Sequence, residues 1–414
     1  MITKEQFEEL IGKKLIEKDG KLVYNGNLDL RGTKDIRELP DNLKVLGWLN
    51  LRCSDVTKLP KGLEVKGSLD ISWTDVEELP EDTKFGGSLG VSNMNMNRPF
   101  FLPKVVKVNG DFDCSNTFIK RMPEELYVKE YCIFSCSRFD KLPKVMEVGF
   151  DLSLYNTHTT ELPEGLKEIY GELNIARTYI TELSDNLVAH SYLSIDDTPI
   201  KELPKGLIVG HKLYLDDAKL KDCSKLHKVC SEFRVSKEKY YEIKDTLAKY
   251  YIEYFDDVVD IVFEPTHNGA YLFENENGKY IKADNIFGKI VEQKGNVYHV
   301  KIYYSDSIIY LVTDGLGRWS HGKTLEEAKD DLLYKISNRK KSNYKNLSLD
   351  SELSFEDAIT CYRVITGACS FGTRDFIENR LGNNKKDKYT IKEIIELTKG
   401  EYGNTTFKDF FCRD

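Results

Sequence analysis

The dipeptide Leu-Pro returns along the first half of this chain at an almost fixed interval. It occurs at Leu39-Pro40, Leu59-Pro60, Leu79-Pro80, Leu102-Pro103, Leu142-Pro143, Leu162-Pro163 and Leu203-Pro204, with Met122-Pro123 and Leu183-Ser184 in the two gaps. The step is 20 residues, with one of 23 and one of 21. A unit this short cannot bury a core by itself. It must stack on copies of itself, so the period points to a solenoid of about ten turns from Gly26 to Leu220.

Each repeat carries a second signal. Apolar residues alternate at Leu28/Leu30, Leu49/Leu51, Leu69/Ile71, Leu89/Val91, Phe112/Cys114, Cys132/Phe134, Leu152/Leu154, Leu173/Ile175, Leu193/Ile195 and Leu213/Leu215. Alternation means a short strand with one buried face, since a helix would put the two members on different faces. Thr33, Thr74, Thr117, Thr157, Thr178 and Thr198, with Ser54 and Ser137, follow two or three residues later. A short hydroxyl there can bond the backbone as the chain leaves the strand. Proline then fixes φ and offers no donor, so the return segment is extended, not helical.

This half resembles the bacterial leucine-rich-repeat family with 20-residue, Leu-Pro-containing repeats known from secreted effectors. The resemblance implies a parallel sheet on one side and an extended convex side. It departs from that family where Thr or Ser replaces the usual Asn. The helical ubiquitin-ligase domain that some members carry is not recognisable, so ligase activity is not implied.

The fold class expected is α/β, in five segments. Residues 1–25 form an N-terminal helical cap opened by the capping box Thr3-Lys4-Glu5-Gln6. Residues 26–220 are the solenoid. Residues 221–258 are a helical cap or linker, with a helix from Ser236 to Tyr254. Residues 259–341 are a β-meander plus a helix opened by the box at Thr324-Leu325-Glu326-Glu327. Residues 342–414 are a helical module, with helices starting near Ser354, Thr373 and Thr390. Within the fourth segment, IIYLVTDGLGRWSHGKTLEEAKDDLLYKI resembles the strand–turn–helix edge of HicB-like antitoxin domains. The run ITGACSFGTRDFIENRL with KYTIKEIIELTKGEYG resembles a module of uncharacterised phage and prophage proteins, which implies such a source.

Chemistry-bearing motifs are few. Cys369 precedes an expected helix, whose N-terminus can lower a thiol pKa, and His321 in a neighbouring segment can act as a base. The commoner outcome for such residues is an inert buried cysteine and a turn histidine. Cys132/Cys136 and Cys223/Cys230 lack partner pairs at zinc-site spacing, and Cys132 occupies a core position, so no metal is expected. No glycine-rich phosphate loop occurs, and no cofactor is expected.

The positions flanking or between the buried pairs are more informative. Trp48, Asp70, Asp113, Tyr131, Asp151, Tyr155, Glu172, Tyr192, Asp196, Tyr214 and Asp216 should project from the sheet. An acidic and aromatic face suits a protein partner with a basic patch. Net charge is −8, which gives no electrostatic reason for nucleic-acid binding. The first residues do not read as a secretory signal, no apolar run is long enough to span a bilayer, and the scattered cysteines suit a reducing compartment. The expectation is therefore a cytoplasmic interaction protein, phage- or prophage-borne by resemblance. It would bind a host protein through its strand face, perturbing a defence system for example. The alternative is a cysteine-dependent enzyme whose repeats select a protein substrate.

Overall fold

The computed structural model describes residues 2–255, 257–302, 307–336, 341–368, 370–382 and 385–412, with backbone alone at Tyr254, Ser370 and Phe371. The chain divides into two units, Met1–Glu264 with Phe273–Gly278, and Pro265–Leu272 with Lys279–Asp414.

The first unit is a β-solenoid of about eleven stacked turns. All ten alternating pairs lie on one sheet, running in parallel register from Leu28↔Leu49 to Leu193↔Leu213. Their paired side chains are buried throughout, from Leu28/Leu30 to Leu213/Leu215. Most of the hydroxyls after the strands act as expected, whereas Ser54 Oγ is buried without a hydrogen-bond partner among the described residues. Thr74, Thr157, Thr178 and Thr198 each donate to the carbonyl three residues back, at 2.6 to 2.8 Å. Thr117 and Ser137 instead reach the preceding turn, at Val91 and Cys114.

A second strand column went unread in the sequence. Leu43–Val45, Glu64–Val65 and Lys84–Phe85 stack in parallel, as do Val105–Val108, Glu125–Val128 and Val145–Val148. Each of these strands precedes its front strand by a few residues, and the chain turns between them at glycines such as Gly86 and Gly149. A Cβ on Gly149 would lie 2.0 Å from the Lys129 carbonyl oxygen of the turn below, so no larger residue fits that approach.

A further feature recurs in the first nine turns. The residue just before the buried hydroxyl position has positive φ: Gly32, Cys53, Trp73, Asn93, Asn116, Cys136, Asn156, Arg177 and Asp197. Glycine and asparagine tolerate this region, and other residues pay about 1–2 kcal/mol there. Trp73, at φ 60° and more than half exposed, is the clearest misfit. Trp73→Asn should stabilise the first unit by about 0.5–1 kcal/mol, and Asn156→Val should destabilise it by a similar or larger amount. Urea midpoints of the two variants check both signs.

Beyond the tenth turn the structure departs from expectation. The helix expected over Ser236–Tyr254 stops early: α2 spans Lys237–Ile243, following α1 at Lys4–Ile11. Tyr250–Phe255 is a strand instead, since its run of aromatic and β-branched residues favours extended backbone. It pairs antiparallel with Val258–Phe263, which pairs antiparallel with the eleventh parallel strand, Cys230–Ser236.

The second unit carries an antiparallel sheet in sequence order through Gly278–Ala283, Ile286–Lys294, Val297–Lys301, Ile308–Thr313 and Trp319–Gly322. The last of these strands was expected as a turn. Helix α3, Leu325–Ile336, packs on the final two strands and is opened by the Thr324/Glu327 box. Then follow α4 (Phe355–Thr366), α5 (Ser370–Phe376) with a π-helical turn at Ile377–Leu381, α6 (Ile391–Leu397) and α7 (Asn404–Phe411). Cys361, Ile365, Ile391, Ile394 and Phe407 form the common core of α4, α6 and α7. Among the described residues, no helix is long and apolar enough to cross a membrane.

Candidate functional site

The eleven residues expected to project all lie on the front sheet or its margins. Asp70, Asp113 and Tyr214 occupy the middle position between buried pairs, in register with Asn50, Gly90 and Ser194 on adjacent strands. Trp48, Tyr131, Asp151, Glu172 and Tyr192 enter their strands, and Tyr155, Asp196 and Asp216 leave them. Trp48, Tyr131 and Tyr192 are each close to 40% exposed, so large ring surface faces outward. Tyr192 and Tyr214 sit together with ring centroids 6.0 Å apart.

The acidic residues also have a structural duty that sequence reasoning missed. At the middle position, Asp29, Asp70 and Asp113 accept the backbone N–H two residues on, at 2.9 to 3.2 Å. At strand entry, Asp111 and Asp151 accept the N–H of Tyr131 and Glu172 in the next turn. Asp196 does the same for Asp216, at 2.8 Å. One carboxylate oxygen thus closes the ladder where the chain bends, which short acceptors do well. At Asp196 the second oxygen accepts from the Ser194 hydroxyl, at 2.8 Å. Charge-removing changes at these sites should therefore be Asp→Asn, which keeps the acceptor.

Burial raises Asp151, Glu172 and Asp196 above the ordinary carboxylate range, with Asp151 adding to the effect at Glu172. Asp216 is pushed up to about 6, by burial first and then by Asp196. At the far end of the face sits a cluster that the sequence did not reveal. Arg234 clasps Asp260 through two bonds of 2.7 and 2.8 Å, and the Lys212 ammonium adds a third at 2.8 Å. Asp260 is 3% exposed. The Arg234 guanidinium also lies over the Tyr214 ring, at 5.6 Å. Only the antiparallel register Arg234↔Asp260 brings these groups together.

The second unit holds a cleft of about 310 Å³, bounded by Asp284, Asn285, Ile286, His321, Ala368 and Phe376 among others. Asp284 and Asn285 form a two-residue hairpin turn with positive φ at both positions, as such turns require. The turn carries Asp284 to His321, whose Nδ1 lies 2.7 Å from Oδ2, while the Lys335 ammonium bonds Oδ1. Cys369, the expected partner of His321, lies outside the described residues. Ala368 and Gly372 are among the residues that line the cleft. Burial pushes the Cys132 and Cys223 thiols upward, away from the thiolate that a metal needs. Among the described residues, no three His, Cys, Asp or Glu side chains converge as a metal site.

Comparison with protein-family models, with curated proteins and with solved structures returned no match.

Proposed function

We propose that the solenoid is a recognition arm of the leucine-rich-repeat type, which binds a protein partner through its front sheet. The observation that carries this reading is the face itself. It is a regular ladder of short parallel strands presenting Trp48, Tyr131, Tyr155, Tyr192 and Tyr214 among carboxylates, with the apolar residues turned inward. Aromatic rings offer large, stiff contact area, and the charges select and steer a basic partner. The resemblance of the helical module extends the reading to a phage or prophage protein acting on a host protein in the cytoplasm. The test compares front-face substitutions with exposed lysines beside the Leu-Pro bends, Lys61→Ala with Lys144→Ala, for capture of a partner. If the lysine changes abolish binding and the front-face changes do nothing, the surface is wrongly assigned.

A second reading, a cysteine-dependent enzyme, is favoured by one observation. His321 is oriented by Asp284 in the cleft that Ala368 and Gly372 also line. A histidine held through Nδ1 by a carboxylate is the usual arrangement of a general base. On this reading Cys369 alkylates rapidly with iodoacetamide at pH 6, and His321→Ala slows that reaction about tenfold or more. Equal rates in the two proteins would set the enzyme reading aside.

A further inference from the structure

Charge is unevenly distributed along the front sheet. In the first four turns Asp29 and Asp70 are balanced by Arg31 and Arg52. From the fifth turn to the tenth the face carries Asp111, Asp113, Asp151, Glu172, Asp196 and Asp216. None of these six forms an ion pair among the described residues. The two cations at that end of the face, Lys212 and Arg234, are both committed to Asp260. At the margin, Arg177 lies over the Tyr155 ring, 5.6 Å away. Burial also leaves Asp151, Glu172, Asp196 and Asp216 partly desolvated. Asp216 Oδ1 is buried without a hydrogen-bond partner, and its backbone N–H is taken by Asp196.

We infer that turns seven to ten hold a lysine- or arginine-rich segment of the partner protein. Its cations would sit against Asp151, Glu172, Asp196 and Asp216, and its aliphatic stems against Tyr155, Tyr192 and Tyr214. The inference rests on the front face being a protein-binding surface and adds the chemistry of what it binds. Carboxylates that are half desolvated and mutually repelling gain most from an incoming cation. Long basic side chains bury their stems on aromatic rings while the charged head finds its counter-ion. A nucleic acid would meet like charge along the whole stretch.

Protonation opposes this binding. Asp216 is faced by Asp196, Asp217, Asp260 and Arg234, and its raised affinity for protons is set by burial and by Asp196. A bound cation makes the four carboxylates more acidic, so complex formation near pH 6 releases protons. The signs separate cleanly. In the free protein, protonating Asp216 as pH falls through about 6 relieves repulsion and favours the fold, while the same protonation weakens the complex.

The test uses the full chain and a fluorescein-labelled peptide of alternating lysine and serine, about twelve residues long, with a glutamate–serine peptide as control. Anisotropy at low salt and neutral pH should show binding of the lysine peptide alone, weakening about tenfold or more by pH 5. Combining Asp151→Asn, Glu172→Gln, Asp196→Asn and Asp216→Asn should lower affinity by ~30-fold or more. Glu161→Gln with Glu182→Gln, exposed beside the bends at Leu162-Pro163 and Leu183-Ser184 and off the front face, should change it by less than about twofold. The amide variants keep the backbone acceptors, and their urea midpoints verify the fold. Calorimetry in buffers of different ionisation enthalpy should detect proton release at pH 6 in the parent and not in the quadruple variant. Equal peptide binding by parent and quadruple variant would overturn the inference. If a captured partner is lost on Tyr192→Ala with Tyr214→Ala yet held by the quadruple variant, the face binds protein and the cationic occupant is wrong. If neither set of changes weakens capture, both readings fall.

Discussion

Asp260→Ala should cost the first unit about 3–5 kcal/mol, the range for breaking a buried ion pair by removing one partner. Asp260 is almost fully buried, and a single carboxylate holds both Arg234 and Lys212. Without it, two cations in neighbouring strands repel each other and lose the carboxylate that hydrogen-bonds both. The antiparallel strands Val258–Phe263 and Tyr250–Phe255 also lose their polar tie to the eleventh turn. Urea denaturation followed by circular dichroism measures the loss. Replacing all three groups together, by Lys212→Met, Arg234→Met and Asp260→Leu, should recover most of it, because the cost lies in the orphaned charges. Burial alone would raise the Asp260 pKa, but the Arg234 and Lys212 hydrogen bonds outweigh it and hold it below its ordinary value. A depressed folded pKa means the contribution is present above the unfolded value, near 3.9, and is lost as pH falls through the folded one. An acid titration of the parent should therefore show extra destabilisation below about pH 4, absent from the triple variant. A loss under about 1 kcal/mol in Asp260→Ala would mean that the cluster behaves as a solvated surface pair.

Removing Tyr192 and Tyr214 together should weaken partner binding by ~30-fold or more, which is about 2 kcal/mol and typical of truncated aromatic anchors. The two rings lie 6.0 Å apart near the end of the front sheet, and Tyr192 also approaches His211 at 5.7 Å. Neither belongs to the core, where Leu193, Ile195, Leu213 and Leu215 face inward. The double variant should therefore fold with a nearly unchanged urea midpoint. Tyr214 packs beneath the Arg234 guanidinium, so any small stability loss should come from Tyr214→Ala, not from Tyr192→Ala. Surface plasmon resonance should place most of the effect in the dissociation rate, since anchors act after encounter. Loss confined to the association rate would indicate steering by charge instead of ring contact.

Much of the first unit was legible because a stacked repeat writes its tertiary contacts into local sequence. Each turn packs on the next at a fixed interval, so the buried pairs, the hydroxyls behind them and the outward positions can be read one turn at a time. Two features with equally local causes were overlooked. The positive-φ residue at the end of each of the first nine strand exits has a signal in Gly32, Asn93, Asn116 and Asn156, but Trp73 and Arg177 conceal it. The glycines at the second strand column mark a close backbone approach that only the neighbouring turn makes visible.

Where the repeat ends, so does that legibility. Tyr250–Phe255 is short, aromatic and close to a real helix, and periodicity alone cannot separate strand from helix over six residues. Antiparallel pairing with Val258–Phe263 decided it, and the further pairing of Val258–Phe263 with Cys230–Ser236 assembled Lys212, Arg234 and Asp260 from positions up to 48 residues apart. Asp284 and His321 likewise meet across 37 residues, through a hairpin turn and a strand, Trp319–Gly322, whose short polar sequence suggests a turn. The sequence by itself determined the solenoid, its buried stripe and its acidic, aromatic face, because those depend on contacts between equivalent residues of adjacent turns. Tertiary structure alone decided which charges are neutralised and which are left bare, because an ion pair depends on through-space distance between residues that no local pattern links.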